Sequence, residues 1–414
     1  MNALDALYFA LGGITAPVWA RKARGGWPER FGRIEPLPSG ADPTRPRLLL
    51  HSVSVGETSA LRHLVPLLTP HADVVISAST DTGLARASDL YARSCTVVRY
   101  PLDFSWAVRR FLDAVRPDAV ALVELELWPN FIRACGQRGI PIGVINGRLS
   151  ARSFKGYRKM RRFIGPSFAA LDFAAVQDTD YQQRFLHMGV RPDRCSVTGS
   201  MKWDAASIAD TVPGADQLAV ELGIDRSRPL IVAGSTGPGE EAILHAACPP
   251  GVQLLCAPRK PERFEEAAAA MPGCRRRSRP AQTPGATDRF LLDTIGELRM
   301  AYALADVVVV GRSFGTQFGS DPIEPIALGK PTVIGPAVSD FQAIVETFLA
   351  ARGILQATAA ALPAALAELV ASPALGRELA ARGRACIAAN QGASRRHADL
   401  LLSVAGRRSP RGAR

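Results

Sequence analysis

Short apolar segments rich in Val, Ile and Leu alternate with longer, more polar segments through most of the chain. The apolar segments are continuous rather than alternating, which is typical of strands buried on both faces of a parallel sheet. We therefore predict parallel α/β architecture with helices between the strands. The predicted strands are Leu48–Val53, Val74–Ser79, Thr96–Tyr100, Ala119–Glu124, Ile142–Asn146, Phe173–Val176 and Ser196–Thr198, then Leu230–Ala233, Leu254–Ala257, Phe290–Leu292, Val307–Val310 and Thr332–Ile334.

The polar stretch from Ser207 to Pro229 interrupts this alternation, which predicts a domain boundary near residue 205. A chain of 414 residues is long enough for two separate cores. We predict an N-terminal membrane-associating helix over residues 1–24. Two Rossmann-like domains follow, over residues 25–205 and 206–414.

The composition indicates a folded protein with anionic partners. Hydrophobic residues make up 47% and charged residues 21% of the chain, as in globular domains. The net charge of +12 favours phosphorylated substrates, lipid headgroups or nucleic acid. Aromatic residues are only 7%, and no nucleic-acid-binding motif occurs, so we expect no nucleic-acid partner. The 7 cysteines are scattered without a CxxC pair, which favours a reducing compartment.

Two segments in the N-terminal half predict contact with an anionic membrane surface. Leu4–Trp19 is mostly apolar and is followed by Arg21, Lys22 and Arg24. It is shorter than the ~20 residues that span a bilayer, and its charge order is not that of a signal peptide. An interfacial helix and an ordinary core helix both remain open. Arg148–Arg162 holds several cations and no acid, which fits an anionic surface or a solvated helix face.

The loops after the predicted strands carry the candidate binding and catalytic residues. Ligands of parallel α/β sheets bind beyond the carboxyl ends of the strands. Gly234–Glu241 has a shape that suits a phosphate or carboxylate, although it lacks the Lys-Ser/Thr of a P-loop. The other loop segments of this kind are His51–Glu57, Glu124–Asn130, Pro258–Phe264 and Gly311–Gly335.

The order of these segments resembles the bacterial 3-deoxy-D-manno-octulosonic acid (Kdo) transferases. The similarity runs from about Trp27 to Arg396, through HSVSVGE, ELELWPN, NGRLSARS, TGSMKWD, GSTGPGEE, PRKPERF, GEL, GSDPIEPIALGKP and NQGA. It implies a GT-B fold, in which two Rossmann-like parallel-sheet domains face a cleft. It also implies inverting transfer of Kdo from CMP-Kdo to a lipid A precursor of the lipid IVA type, in lipopolysaccharide core biosynthesis. Neither a metal nor another cofactor is expected. The implied location is the cytoplasmic face of the inner membrane, peripheral or N-terminally anchored.

The resemblance also implies roles for individual residues. Glu29, in Trp-Pro-Glu-Arg-Phe-Gly, matches the general base that deprotonates the acceptor hydroxyl. Glu126 and Lys202 match residues that stabilise the transition state. Arg259 is expected to pair with the donor phosphate and Glu324 to bind the ribose hydroxyls. The segments that match CMP-binding residues are Pro258 and Arg259; Ile295, Gly296 and Glu297; and Asp321, Pro322, Ile323 and Glu324.

Alternatives remain open at this stage. Glu29 could be only an exposed helix residue paired with Arg30, and Lys202 only a surface cation. Asp321 stands where the family usually has Asn, and Lys260 where it has His, so the donor preference could differ. The chain could be another GT-B sugar-nucleotide enzyme, a UDP-sugar transferase or an epimerase, or a non-catalytic binding protein.

Overall fold

The computed structural model describes residues 2, 4–6, 8, 25–38, 40, 42, 44–279 and 287–406. The chain folds into two compact α/β units. The first contains the described residues up to Ala205 together with those from Gln391 onward, and the second is Ala206–Asn390. Most of the predicted N-terminal helix, residues 1–24, lies outside the described residues.

The first unit is built on a seven-stranded parallel sheet with strand order β3-β2-β1-β4-β5-β6-β7 in its described part. Alternate residues of β1 face opposite sides, so that Leu49 joins one apolar core and Leu48 and Leu50 join the other. The strands are β1 Arg47–Ser52, β2 Asp73–Ala78, β3 Thr96–Arg99, β4 Ala119–Val123, β5 Ile142–Gly147, β6 Phe173–Val176 and β7 Cys195–Val197.

Helices cover both faces of this sheet. Most of them connect consecutive parallel strands, as crossover helices do. The helices are α1 Trp27–Arg30, α2 Val55–Ala60, α3 Val65–Leu68, α4 Asp81–Tyr91, α5 Ser105–Val115, α6 Pro129–Gln137, α7 Ala151–Lys159, α8 Arg161–Ala169 and α9 Thr179–Met188.

The second unit contains another seven-stranded parallel sheet, with order β10-β11-β9-β8-β12-β13-β14 in its described part. Its strands are β8 Leu230–Thr236, β9 Gln253–Pro258, β10 Arg275–Arg276, β11 Arg289–Leu291, β12 Val307–Val310, β13 Thr332–Ile334 and β14 Leu355–Gln356. Its helices are α10 Ala215–Leu222, α11 Glu240–Ala247, α12 Phe264–Ala270, α13 Leu298–Leu304, α14 Ile323–Ala327, α15 Gln342–Ala350, α16 Leu362–Ala371 and α17 Pro373–Asn390.

Every predicted strand overlaps an observed one, and the predicted parallel α/β class is confirmed. The sequence analysis missed β10 and β14. Each is a two-residue strand at the edge of the sheet, with none of the buried apolar residues that mark the central strands.

The division of the chain differs from the prediction at the C-terminal end. The first unit ends at Ala205, but α18 (Ala393–Gly406) also belongs to it rather than to the second domain. Apolar residues of α18, including Ala398 and Leu401, pack in the core under β1. Asp204 fixes the start of the helix by accepting hydrogen bonds from the backbone N–H groups of Gly392 (2.6 Å) and Ser394 (2.5 Å). An amphipathic pattern does not specify which sheet the helix covers.

Candidate functional site

The predicted base, Glu29, lies on α1 and is held by a buried arginine. Its Oε2 is 3.0 Å from Nε of Arg99, the last residue of β3. Arg99 also pairs with Asp81 at 2.6 Å, and Asp81 pairs with Arg30 at 3.0 Å. The suggested pairing of Glu29 with Arg30 is therefore wrong. The Glu29 side chain is 45% exposed while that of Arg99 is 7% exposed, so the carboxylate is oriented yet open to a substrate.

Gly26 makes this arrangement sterically feasible. Its φ of +69° is in the left-handed region. A Cβ at this position would lie 2.4 Å from Nε of Arg99 and 2.7 Å from Oε2 of Glu29. Any side chain here would push the two partners apart, so glycine is needed both for the turn and for the ion pair.

Both titratable residues of the HSVSVGE segment, His51 and Glu57, have structural roles. His51 is buried with its ring stacked on Tyr100, the ring centroids 3.6 Å apart, and burial lowers its pKa to about 3. The Glu57 carboxylate accepts hydrogen bonds from Val53 N–H and from the Ser54 hydroxyl, both at 2.8 Å. Ser54 in turn accepts from Glu57 N–H at 3.3 Å, which completes a capping box at the start of α2.

Glu126 lies in a cluster of carboxylates. It follows β4, and Glu57 follows the neighbouring strand β1. Burial raises the pKa of Glu126 to about 7, and the charges of Glu57 and Glu124 act in the same direction. Burial also raises the pKa of Glu57. Like charges disfavour joint ionisation, so the cluster favours a protonated carboxyl at Glu126.

Lys202 is half-buried in the loop after β7. The Met201 N–H donates to Oδ1 of Asn146 at 3.0 Å, which ties this loop to the end of β5. Because β5 neighbours β4, this hydrogen bond ties the loop that carries Lys202 to the strand next to the one that precedes Glu126. Glu29, by contrast, lies beside β3 and β2. At about 4.8 Å per strand, roughly 10–15 Å separate it from the Glu126 position.

Residues in the left-handed backbone region mark the carboxyl ends of the central strands. Glu124 (φ 61°) and Asn146 (φ 51°) do so in the first sheet, and Ser235 (φ 56°) and Arg312 (φ 58°) in the second. Such conformations are costly for non-glycine residues and concentrate at functional sites. These backbone conformations are consistent with functional sites at the carboxyl edges of both sheets.

In the second unit, Glu240 organises the loop after β12. Its Oε2 accepts backbone N–H groups of Gly237 (2.7 Å) and Arg312 (2.6 Å). Its Oε1 accepts those of Ser313 (2.7 Å) and Phe314 (2.9 Å). The Glu240 carboxylate therefore satisfies one N–H group of the Gly234–Glu241 segment and shapes the neighbouring loop.

Arg259 is the best-placed cation for an external anion. It follows β9 and is exposed, while Pro258 before it is buried. Its N–H donates to the Thr236 carbonyl at 3.2 Å, which fixes the backbone beside the end of β8. Within the described part of the chain its guanidinium has no ion-pair partner. The neighbouring Arg263, in contrast, is held by Glu241 at 2.9 Å.

In the predicted segment Ile295–Glu297, the Glu297 side chain stabilises a turn. Glu297 accepts hydrogen bonds from Arg277 (3.0 Å) and from the Thr294 hydroxyl. Burial opposes its ionisation, but these hydrogen bonds outweigh it and lower the pKa of Glu297. Ile295 is 69% exposed, and Gly296 has a φ of +96°. The turn is thus fixed by Glu297 and presents Ile295 to solvent.

The predicted segment Asp321–Glu324 opens α14, where Pro322 and Ile323 are buried. Asp321 accepts the N–H of Ile323 at 2.9 Å. Glu324 lies 3.6 Å from Arg299 on α13, and burial raises its pKa. This pair joins α14 to the helix that follows Ile295–Glu297. Arg299 was missed by the sequence analysis; its only signal was its position two residues after Glu297.

The comparisons with known proteins decide the family. Residues 25–205 match the family model described as 3-deoxy-D-manno-octulosonic-acid transferase (kdotransferase). A 3-deoxy-D-manno-octulosonic acid transferase of Bordetella pertussis is 34% identical over 95% of this chain and 97% of its own length. The chain belongs to the Kdo transferase family. A Haemophilus influenzae member is 31% identical over 86% of both chains. The predicted Kdo glycosyltransferase activity is confirmed.

Solved structures of more distant proteins show the fold of this Kdo transferase. Anabaena HepE in complex with UDP has a TM-score of 0.60 and 15% identity, covering 86% of this chain and 100% of its own. Neisseria meningitidis UDP-GlcNAc 2-epimerase bound to UDP-GlcNAc has a TM-score of 0.58 and 14% identity, covering 86% and 100%. At such identities the likeness shows the fold alone, and it confirms the GT-B α/β class.

Proposed function

We propose that this Kdo transferase moves Kdo from CMP-Kdo to a hydroxyl group of a lipid A precursor in lipopolysaccharide core biosynthesis, with inversion at the anomeric carbon and Glu29 as general base. The single observation that carries the residue assignment is the Glu29 carboxylate, half-exposed and oriented by buried Arg99. Membership of the Kdo transferase family supports the reaction class. The first unit, on this proposal, receives the acceptor, and the second binds the nucleotide.

The chemical step needs a proton acceptor at the nucleophile. As the acceptor oxygen forms its bond to the anomeric carbon, its proton passes to the Glu29 carboxylate. The bond from that carbon to the phosphate oxygen breaks, and CMP leaves with the bonding electrons. A hydroxyl is a poor nucleophile unless a positioned base removes its proton during attack. Arg99 restricts the Glu29 side chain to one orientation, which reduces the entropy lost on reaching this geometry.

Glu126 and Lys202 act, on this proposal, on charge that develops in the transition state. The ionised form of Glu126 stabilises positive charge at the anomeric carbon, and Lys202 balances the anionic groups of the donor. The pKa of Glu126 near 7 supports a role that depends on its protonation state.

The second unit, on this proposal, binds CMP at the carboxyl edge of its sheet. Arg259 contacts the phosphate, supported by its exposure and by the ordered backbone at Thr236. Glu324, half-buried beside Arg299, accepts hydrogen bonds from the ribose hydroxyls. The loop shaped by Glu240 supplies the wall of the site. No metal is required in this scheme, because arginine and backbone N–H groups stabilise the leaving phosphate.

We further propose that the enzyme docks on the anionic cytoplasmic face of the inner membrane. Among the described residues, no helix has both the length and the hydrophobicity needed to cross a membrane. The surface of α7 and the start of α8 is basic and carries two exposed apolar side chains, Met160 (53% exposed) and Phe163 (81%). Basic and apolar side chains side by side favour interfacial binding to anionic lipid.

The proposal is tested with Glu29→Gln, which keeps the size and hydrogen bonding of the side chain but cannot accept the proton. Turnover with CMP-Kdo and a lipid A precursor should fall by about 10²–10⁴-fold. CMP affinity and melting temperature should stay near wild type. Glu35→Gln, at an exposed carboxylate nearby, is the matched control and should retain full activity.

A different result would contradict the assignment. If Glu29 serves only to anchor Arg99, the variant should lose melting temperature rather than turnover. Turnover within about threefold of wild type, far short of the contribution of a general base, would exclude Glu29 from that role.

A further inference from the structure

A cavity of about 380 Å³ lies at the amino ends of the strands in the second unit, opposite the carboxyl edge that carries Arg259. It is formed by the residues that precede β8, β12 and β13, by Leu369 and Val370 in the last turn of α16, and by the start of α17. We call it the amino-edge pocket. Its lining includes four cations, Arg226, Arg228, Lys330 and Arg377, against the single acid Asp306.

Two of these cations are fixed by the protein itself. Arg226 donates to the Leu304 carbonyl at 2.5 Å, and Arg228 pairs with Asp288 at 2.7 Å. The carboxylate of Asp306 accepts the Leu230 N–H at 2.8 Å. Only one of the pocket's four cations therefore has its charge balanced by an ion pair within the described residues.

Lys330 is the pocket residue whose charge would gain most from a bound anion. It is half-buried, and within the described residues its ammonium has no ion pair or hydrogen bond. Burial lowers its pKa, and so do the cations of Arg226 and Arg384, while Asp306 acts in the opposite direction. The positive charge of Lys330 is thus partly buried and, in the described part of the chain, offset only by Asp306, and an anion in the pocket would stabilise it. Lys330 belongs to the ALGKP segment, which the proposed transfer reaction does not use.

The start of α17 adds a second source of positive potential. Pro373 begins this 18-residue helix, and Pro373, Gly376 and Arg377 line the pocket. The first N–H groups of a helix have no partner within it, and the helix dipole places partial positive charge there. Helix starts next to basic side chains are frequent sites for phosphate.

From this arrangement we propose that the amino-edge pocket binds an anionic phosphate group, either free or as part of a larger molecule. Lys330 and Arg377 contact the phosphate oxygens, and Arg226 and Arg228 supply the surrounding positive potential. The cavity falls within the roughly 300–1,000 Å³ of small-molecule sites, so it holds a group larger than the phosphate itself. This site is separate from the CMP site of the proposed function and does not depend on it.

The test is calorimetric titration of the full-length enzyme with inorganic pyrophosphate. Lys330→Met keeps the bulk of the side chain and removes its charge, and it should weaken binding about tenfold or more. Arg382→Gln, at a half-buried residue that is on the same helix as Arg377 and does not line the pocket, is the matched control and should bind as wild type does. Arg377→Gln at the exposed rim is a second variant that tests the site even if Lys330→Met is unstable.

The location is distinguished by Arg259→Gln, which removes the cation at the opposite edge. If this variant loses pyrophosphate binding while Lys330→Met retains it, the anion binds at the carboxyl edge and the proposal is overturned. A parallel arm uses vesicles of phosphatidylglycerol and of phosphatidylcholine. Selective loss of phosphatidylglycerol binding in Lys330→Met, without pyrophosphate binding to wild type, identifies the phosphate as that of a lipid headgroup. Absence of both kinds of binding refutes the site.

Discussion

Replacing Glu240 with glutamine should destabilise the second unit far more than an ordinary surface substitution. The carboxylate is 2% exposed and accepts four backbone N–H groups, two on each oxygen. A glutamine offers one oxygen, and its NH2 group would face two of those donors. Buried polar groups nearly always have partners, so this loss is not easily accommodated.

The size of the stability loss follows from the number of buried N–H donors that lose their acceptor. Each buried donor left without an acceptor costs about 1–3 kcal/mol, so Glu240→Gln should lower the free energy of unfolding by roughly 2–6 kcal/mol. This is a large part of the total of about 5–15 kcal/mol that is typical of folded proteins. The damage should be local first, because the donors include Arg312, Ser313 and Phe314 of one loop.

Denaturant unfolding measures the loss of global stability in Glu240→Gln, and native-state hydrogen exchange measures the local loss of stability. Because a chain with two units can unfold in more than one step, exchange of the amides at residues 311–314 is the more direct measurement. Those amides should exchange faster in Glu240→Gln than in the control Glu368→Gln, an exposed carboxylate on α16. Unchanged protection of the loop, together with a loss of stability below about 1 kcal/mol, would refute the reasoning from unsatisfied donors.

Three further outcomes follow from the same structure. Arg259→Ala should weaken CMP binding roughly 10–150-fold in calorimetry, the value of a lost charge-assisted contact, and equal affinity would place the nucleotide elsewhere. The raised pKa of Glu126, about 7, means that the folded state binds its proton more tightly than the unfolded state does. Unfolding free energy should therefore fall as pH rises from about 4.5 to 7, by at most about 3 kcal/mol, and Glu126→Gln should abolish that component in pH-dependent denaturation. Replacing Lys155, Arg158 and Arg162 with Gln should weaken binding to anionic vesicles roughly 100-fold at low salt, at about 1 kcal/mol per cation, and unchanged sedimentation with the vesicles would exclude this surface.

The resemblance located the predicted site residues, but only the structure shows what their side chains contact. Arg259 is exposed and Glu29 is half-exposed, as a substrate-binding role requires. Glu297 is instead engaged by Arg277, and Glu57 caps α2. Short sequence motifs do not separate a carboxylate that binds substrate from one that holds a turn, because both occur directly after a strand.

What the sequence by itself determined was the strands, the parallel α/β class and the family. Continuous apolar segments must be buried on both faces, and that requirement is local enough to be read residue by residue. Only the tertiary structure decided that Glu29 pairs with Arg99, that Glu240 binds the loop after β12, and that α18 packs on the first sheet. These contacts join residues far apart in the chain. Their energies depend on distance and burial in the folded state, which no local pattern encodes.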